Sequence, residues 1–378
     1  MLKRLRNLCF DERGMSFVFV GIGLMTFMAA TTLAVDVGMF MTARTQAQTS
    51  ADAGALAGAT ALVFNSWDDR SASGPAVQSS ISAASQNTVM AGVVSVQPGD
   101  VTFPVGPTGS NRVKVDVYRT AGRTNPVSTL LGSFLGMSTI DIAATATAEA
   151  APAGGMTCVK PFIIPDKWTE NTSPPWDMNT SVYEHYDNHG VEMNPHDVYD
   201  PTKGYSAADK GTVLILRAGG GNNIRPTFYF SWAMPGNTGA AWYEDNIRNC
   251  NTTVIERGYV ATQEPGNMMG PTIAGLQALL DQDPGAIWVP DATGGHYQST
   301  MNPSPRVFPI PLYNPEEYEK GKQTGRNAEL IVANWLGFFL ERIQGNEAYG
   351  RIFPITGVTS TSSPTPATPL AYVIHLVQ

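Results

Sequence analysis

The sequence predicts an α+β protein in which an N-terminal transmembrane helix continues as a long helix and is followed by two extracytoplasmic α+β domains with antiparallel sheets. Three observations lead to this prediction. An uncharged apolar run occupies residues 15–35, a proline-free and alanine-rich stretch follows at residues 36–64, and strand-like and helix-like patterns alternate over the rest of the 378 residues.

The composition is that of a folded protein. With 43% hydrophobic and 15% charged residues, the chain has enough apolar material for a core and too little charge for general disorder. The formal net charge is -8, and because the first 35 residues contribute +2, the remainder carries -10. A phosphate backbone requires clustered Lys and Arg, so we expect no nucleic-acid partner.

Residues 15–35 have the length of a membrane span. Twenty-one helical residues at about 1.5 Å each reach roughly 32 Å, the thickness of a bilayer core. Four Lys or Arg precede the run, and only Arg44 occurs in the twenty residues after it. We therefore expect residues 1–14 to stay in the cytoplasm and the body to lie across the membrane.

A cleavable signal peptide is the competing interpretation, because Thr32-Leu33-Ala34 has the character of a small-residue cleavage site. The apolar run exceeds the roughly 7–15 residues of a signal h-region, and Asp11 and Glu12 interrupt the basic leader. We expect an uncleaved anchor.

Residues 36–64 are expected to continue the same helix outside the membrane over about 40 Å, because Ala, Gln and Met favour helix and no proline interrupts them. Small residues recur along one stripe, namely Ala47, Ala51, Gly54, Ala55, Gly58 and Ala59. A flat stripe allows close approach of another helix or sheet. That partner is either another protein or the chain's own following domain, and the sequence leaves both open.

The segment from Glu12 to Leu62 resembles the N-terminal segment of the Tad/Flp pilus-assembly TadE/TadG-like family. It combines an acidic-Arg-Gly start, an apolar span, an AVDVG-like exit and a Gln- and Ala-rich tract that ends in ADAGALAGA. Segments near the C-terminus resemble large members of the same family more weakly. The resemblance implies an inner-membrane component of an adhesive pilus or related secretion apparatus, with a pilin-like helix leading an extracytoplasmic domain.

The chain departs from this family's pattern at two points. Relatives that are cut by prepilin peptidase carry Glu five residues after the processing glycine, whereas five residues after Gly14 stands Phe19. We therefore expect no processing. Some larger relatives carry a domain with a D-x-S-x-S metal motif that this sequence lacks, so no magnesium-dependent adhesion site is assigned.

Residues 65–150 are expected to form a small pilin-like α+β domain. The patterns predict helices at 76–90 and 127–135 and strands at 93–105, 112–120 and 138–149. The strand at 112–120 has the clearest signal, because Val113, Val115 and Val117 alternate with polar residues. Residues 151–155, Ala-Pro-Ala-Gly-Gly, are expected to be a linker.

Residues 156–378 are expected to form a C-terminal α+β domain with long loops. The patterns predict strands at 212–217, 227–232, 307–312 and 329–340 and helices at 238–249 and 271–281. A polar tether at 359–369 leads to a β-prone strand at 370–377. We expect this last strand to pair within its own domain, and the alternative is donation to a neighbouring subunit.

Two cysteines follow the apolar run. In an oxidising compartment Cys158 and Cys250 could form a disulfide. Two separate buried thiols are an equally good interpretation of the sequence.

The densest polar cluster spans residues 184–200 and contains His185, His189 and His196. On a helix, His185 and His189 would share a face and could bind zinc with a third ligand. Asn, Gly and Pro residues between the histidines favour a loop instead, which removes the reason for the spacing. We expect no metal ion here.

Five aromatic residues accompany this cluster in loop-like sequence: Trp168, Trp176, Tyr183, Tyr186 and Tyr199. They predict either a surface for protein or glycan contact or a plug for the domain core. Phosphate-loop, dinucleotide, G-x-S-x-G and H-E-x-x-H motifs do not occur in the sequence. We therefore expect no catalytic residues and no cofactor.

The sequence thus predicts a membrane-anchored structural or assembly component, minor pilin-like or scaffold, whose partners are other proteins of the pilus or secretion apparatus. A surface adhesin or envelope binding protein with the same anchor is the alternative. A metal-dependent extracytoplasmic hydrolase centred on the histidines is the remote one. The sequence does not determine the oligomeric state.

Overall fold

The computed structural model describes residues 12–107, 110–171, 173–187, 189–219, 223–266, 268–323, 328–359 and 370–377. Within these residues, besides short 3-10 turns, the chain forms the α-helices α1 Glu12–Phe64, α2 Pro75–Gln86, α3 Ala240–Arg248, α4 Met269–Gln282 and α5 Pro315–Gln323. The strands of the first part are β1 Thr88–Val89, β2 Gly92–Val93, β3 Val101–Thr102, β4 Asn111–Arg119, β5 Val127–Ser128, β6 Thr139–Ile140 and β7 Ile142–Pro152. They are followed by β8 Gly155–Met156, β9 Phe162–Pro165, β10 Val213–Ala218, β11 Phe228–Ser231, β12 Ile255–Glu256, β13 Val260–Ala261, β14 Ile287–Val289, β15 His296–Gln298, β16 Val307–Tyr313, β17 Leu330–Gln344, β18 Glu347–Phe353, β19 Ile355–Thr356 and β20 Ala371–Val377.

Helix α1 is one continuous rod of 53 residues, about 80 Å long. The threonine hydroxyls of the apolar segment are satisfied within the helix, because they donate to backbone carbonyls one turn back. Thr26 donates to Ile22 and Thr31 to Phe27, both at 2.8 Å. The predicted continuation of the apolar span into a long helix is confirmed.

A five-stranded sheet in the order β19-β20-β7-β4-β3 packs against the C-terminal half of α1, with α2 beside it. Strands β4 and β7 are antiparallel, with Val113 opposite Ala148 and Val117 opposite Ala144. The three alternating valines of β4 are fully buried. The half-exposed strand predicted there is confirmed.

Two predictions in this region are wrong. The strand expected at 93–105 is interrupted by a 3-10 turn at Pro98–Asp100, because Pro98 cannot donate to a ladder. The helix expected at 127–135 is replaced by β5 and a 3-10 turn at Gly132–Leu135. There the backbone bonds across to β6, as in Thr129 N–H to Ser138 O at 3.0 Å.

A seven-stranded sheet in the order β13-β17-β16-β9-β11-β10-β18 forms the second large element. Strand β17 pairs with both β16 and β18, so six of the strands close into a ring, which removes free edges. The predicted antiparallel character holds for most pairings, but β10–β11 and β9–β16 are parallel. Because β10 and β11 are joined by a crossover and not by a hairpin, the local pattern does not reveal that direction.

The C-terminal strand β20 pairs within residues 156–378 with the two-residue strand β19, to which it runs parallel, so the prediction of pairing within its own domain holds in part. Its longer pairing is with β7, most of which lies in residues 65–150 and to which β20 runs antiparallel, with Tyr372 opposite Pro152 and Val377 opposite Thr147. The seven-stranded sheet is closed through β17, whereas β7 offers an edge beside β4. Most of the predicted tether, residues 360–369, lies outside the described residues.

The segment predicted as a linker belongs partly to strands. Ala151 and Pro152 are the last residues of β7, and Gly155 begins β8. Aromatic contacts also join the end of α1 and the segment after it to the C-terminal strands. The Trp67 and Tyr372 rings lie 4.7 Å apart, and the Phe64 and Phe353 rings lie 5.6 Å apart. The division into two domains stays a prediction.

Candidate functional site

The N-terminal half of α1 is exposed on all sides. The apolar side chains from Phe17 to Val35 protrude from the rest of the chain, with Phe17 82% and Phe27 72% exposed. In the most apolar 18-residue stretch of this helix, no residue is buried. A helix that is apolar all round and exposed to this degree among the described residues fits a single-pass membrane anchor.

Asp36 marks the point where the helix enters the folded body. Its side chain is buried, and Oδ1 accepts the backbone N–H groups of Leu130 at 3.1 Å and Leu131 at 3.2 Å. Gly132 allows this approach, because a Cβ there would lie 3.1 Å from Asp36 Oδ2. Asp36 therefore fixes the β5–β6 hairpin to the helix one residue after the apolar span.

The small-residue stripe of α1 is buried within the chain. Ala47, Ala51, Ala55 and Ala59 are at most 1% exposed, and Gly54 and Gly58 are buried beside them. A Cβ on Gly58 would lie 2.8 Å from Val113 Cγ1 and 2.2 Å from Ser80 Oγ. Of the two partners that the sequence left open, the stripe contacts the chain's own α2 and five-stranded sheet.

The end of α1 is held by the C-terminal part of the chain. Lys210 Nζ donates to the Phe64 carbonyl at 2.6 Å, where the helix has unsatisfied acceptors. Burial lowers the pKa of Lys210. This hydrogen bond connects the end of α1 to the residues before β10.

Cys158 and Cys250 are joined by a disulfide that links residues 92 apart in sequence, next to the end of α3. Beside it, Lys160 Nζ donates to the carbonyls of Ile247 at 2.5 Å and Asn249 at 2.9 Å. Burial lowers the pKa of Lys160 to about 7.

The histidine cluster lies in a loop, but the loop is folded back on itself. An isolated bridge pairs Tyr186 with Glu192, and this brings His185, Glu192 and His196 together. His189 points away: its side chain is 86% exposed and its Nδ1 lies 3.9 Å from Asp187 Oδ2. Of the three histidines proposed from the sequence, His185 and His196 therefore lie together and His189 lies apart.

The aromatic residues near this loop fill the core. Trp168, Tyr183 and Tyr199 are at most 8% exposed, and Trp176 packs edge-to-face against Trp168 at 6.4 Å. Of the five, Tyr186 and Trp176 keep partial exposure. The interpretation as a core plug fits this burial, and it accounts for the aromatic composition without a ligand.

Sequence reasoning missed two residues. Asp36 is the only charged residue between Arg13 and Arg44, and that isolation at the end of an apolar run was a signal for a specific partner. Glu192 carried no such signal, because its position relative to the histidines depends on how the loop turns.

The architecture defines the class: an α+β body carried on a long helix whose first half is long and apolar enough to cross a membrane. The model of the Flp pilus-assembly TadE/G-like family, Tad, matches residues 14–61, which are most of α1. The family resemblance of this segment is therefore confirmed. No curated protein and no solved structure matched the chain.

Proposed function

We propose that this protein is a membrane-anchored structural or assembly component, minor pilin-like or scaffold, of a Tad/Flp-type pilus or a related secretion apparatus. It works by binding other proteins and not by catalysis. The observation that carries the proposal is α1: the segment that matches the family is half exposed apolar helix and half buried packing stripe.

In this proposal residues 1–14 lie in the cytoplasm, residues 15–35 cross the inner membrane, and the body lies in the periplasm. The basic residues before the span support this orientation. The disulfide between Cys158 and Cys250 supports an oxidising compartment for the body. The hairpin held by Asp36 carries exposed Leu130 and Met137, which suits the membrane surface.

The two α+β units of residues 65–150 and 156–378 are proposed as domains that share their first sheet through β20. Because β20 and the Lys210–Phe64 contact connect them, force or motion at the anchor would reach both units. A scaffold that positions partners at a fixed height above the membrane needs such stiffness.

The contacts with partners in the membrane are assigned to the exposed span. The extracytoplasmic stripe is occupied by α2 and the sheet, so it is not free for another subunit. In the span, an added Cβ at Gly21 or Gly23 would meet nothing within 4 Å, which leaves room for close helix approach.

Site-specific photo-crosslinking tests the proposal in cells that assemble the apparatus. A photoreactive residue at Leu24 or Met28, both exposed in the span, is expected to form adducts with another membrane protein of the apparatus. The same residue at Val105, which is 95% exposed but outside the span, is the control and should form none of these adducts. If Leu24 and Met28 yield only lipid adducts, the assembly role through the membrane helix is wrong.

A further inference from the structure

The side chains of His185, Glu192 and His196, from three positions of one loop, lie close together. Glu192 Oε1 lies 3.6 Å from His196 Nε2 and 3.9 Å from His185 Nε2. The ligand atoms of the three residues all lie within 4.8 Å of one another. Such a convergence of two imidazoles and a carboxylate is the donor set of many zinc sites.

The other nitrogen of each ring is held by the backbone. His185 Nδ1 lies 3.1 Å from the Asp197 carbonyl oxygen and 3.3 Å from the Tyr183 hydroxyl, which can also accept, and His196 Nδ1 lies 2.7 Å from the Met193 carbonyl oxygen. A carbonyl oxygen can only accept, so each neutral ring carries its proton on Nδ1 and has its lone pair on Nε2. This is the outer-shell arrangement that orients metal-binding histidines in proteins.

The loop is also fixed from outside. The backbone N–H of His185 donates to Glu319 Oε2 at 3.2 Å. The Asp197 carboxylate accepts the backbone N–H groups of Glu184 and Asn171 at 2.9 and 3.0 Å. The His185 ring is 4.2 Å from that of His196. Because these contacts hold the donors before any ligand binds, little ordering remains to oppose binding.

We propose that His185 Nε2, His196 Nε2 and a carboxylate oxygen of Glu192 bind one zinc-type divalent transition metal ion. Zn–N and Zn–O bonds of about 2.0–2.2 Å require donors roughly 3.4 Å apart. The two distances from Glu192 to the histidines, 3.6 and 3.9 Å, must therefore shorten by a few tenths of an ångström. The Glu192 side chain is 61% exposed and can supply that movement. Imidazole donors select Zn²⁺, Ni²⁺ or Cu²⁺ over Mg²⁺ and Ca²⁺.

This site replaces the sequence-based expectation of no metal, and it differs from the set first considered. Glu192 takes the position that spacing had suggested for His189. With three protein donors, a fourth position faces solvent beside Glu192 and is open to water or to a side chain of a partner. The inference is independent of the proposed assembly role.

Zinc titration of the full chain in detergent, stripped first with a chelator, tests the proposal. Competition with a chromogenic chelator is expected to give one equivalent of Zn²⁺ for the wild type and for His189→Ala, the matched control. His185→Ala and His196→Ala are each expected to weaken binding at least tenfold, and Glu192→Gln by about tenfold.

Thermal unfolding provides the second readout. Zn²⁺ at 100 times its Kd is expected to raise the Tm of the wild type and of His189→Ala, since ligand binding to the folded state stabilises it. Because His185 is buried, the His185→Ala variant can misfold. In that case the His196→Ala variant, whose wild-type side chain is 25% exposed, tests whether the site binds zinc. Absence of a bound equivalent, or an equal loss in His189→Ala, would overturn the proposal.

Discussion

Asp36 holds Leu131 with both carboxylate oxygens, which lie 3.2 and 3.3 Å from the Leu131 backbone nitrogen. The two residues are 95 positions apart, and the contact lies immediately after the apolar span. A charged group is buried there because it accepts hydrogen bonds from N–H groups that would otherwise have no partner in the turn. The contact fixes the β5–β6 hairpin to α1 at the end of the apolar span.

Replacement of Asp36 by Ala is expected to release the β5–β6 hairpin. Loss of hydrogen bonds to a carboxylate costs about 1–3 kcal/mol, so amide exchange at Leu130 and Leu131 should accelerate roughly tenfold to a hundredfold. Hydrogen–deuterium exchange of the full chain in detergent measures this. Asp52→Ala, whose carboxylate accepts from Gln48 on the same helix, is the control and should leave those amides unchanged. Unchanged exchange in Asp36→Ala would mean that the hairpin is held by other contacts.

Two glycines of α1 are predicted to respond in opposite ways to Ala. Gly58→Ala should destabilise the protein by roughly 1–3 kcal/mol, because the new methyl overlaps Val113 even if Ser80 rotates. Gly38→Ala should be neutral or stabilising by up to about 1 kcal/mol, since nothing lies within 4 Å and Ala favours helix. Denaturant unfolding followed by tryptophan fluorescence compares the two. Equal effects would contradict the close packing of the stripe.

The C-terminal strand is predicted to stabilise the first sheet. Tyr372→Ala removes a ring that is 1% exposed and packs on Trp67, so a loss of about 3–5 kcal/mol is expected. Leu376→Ala, 42% exposed on the same strand, should cost less than about 1 kcal/mol. Exchange protection of β7 amides is the second readout. If Tyr372→Ala leaves β7 protected, β20 does not complete that sheet.

Asp166 is predicted to make stability depend on pH. Its carboxyl is fully buried and accepts the Tyr199 hydroxyl at 3.1 Å, and burial raises its pKa from 3.8 to about 6. Between about pH 4 and 6 the folded state holds a proton that the unfolded state has lost, so stability falls as pH rises through that window and then levels off. Two pKa units correspond to roughly 3 kcal/mol.

Asp166→Asn should remove this part of the decline, because an amide does not titrate. Asp200→Asn is the control: its carboxyl is near the surface, and hydrogen bonds from Thr202 lower its pKa. Other buried carboxyl groups titrate in the same range, so the difference between each variant and the wild type is the quantity to measure by urea unfolding from pH 4 to 7. An identical profile for Asp166→Asn and the wild type would contradict the assignment.

Local patterns predicted the elements whose signal is local. The alternating valines of β4 identified that strand, and the uncharged apolar run with the proline-free stretch after it identified α1 over residues 15–64. Two-residue strands such as β5 and β6 fall below the length at which a pattern can be recognised, and there a helix was predicted wrongly.

Contacts between distant positions could not be predicted in this way. Tyr372 pairs with Pro152, and Asp36 bonds Leu131, although nothing near any of these residues specifies its partner. The metal candidates show the same limit. The sequence brought His185 and His196 into consideration by composition, but only the Tyr186–Glu192 bridge places a carboxylate between them.

The central claim is that the exposed apolar half of α1 crosses the membrane and leaves the body outside the cytoplasm. Protease added to intact spheroplasts that express the full chain tests it, with an antibody against the body and a cytoplasmic protein as the marker of integrity. The account predicts that the body is degraded while the marker survives. Survival of the body until the spheroplasts are lysed would contradict it.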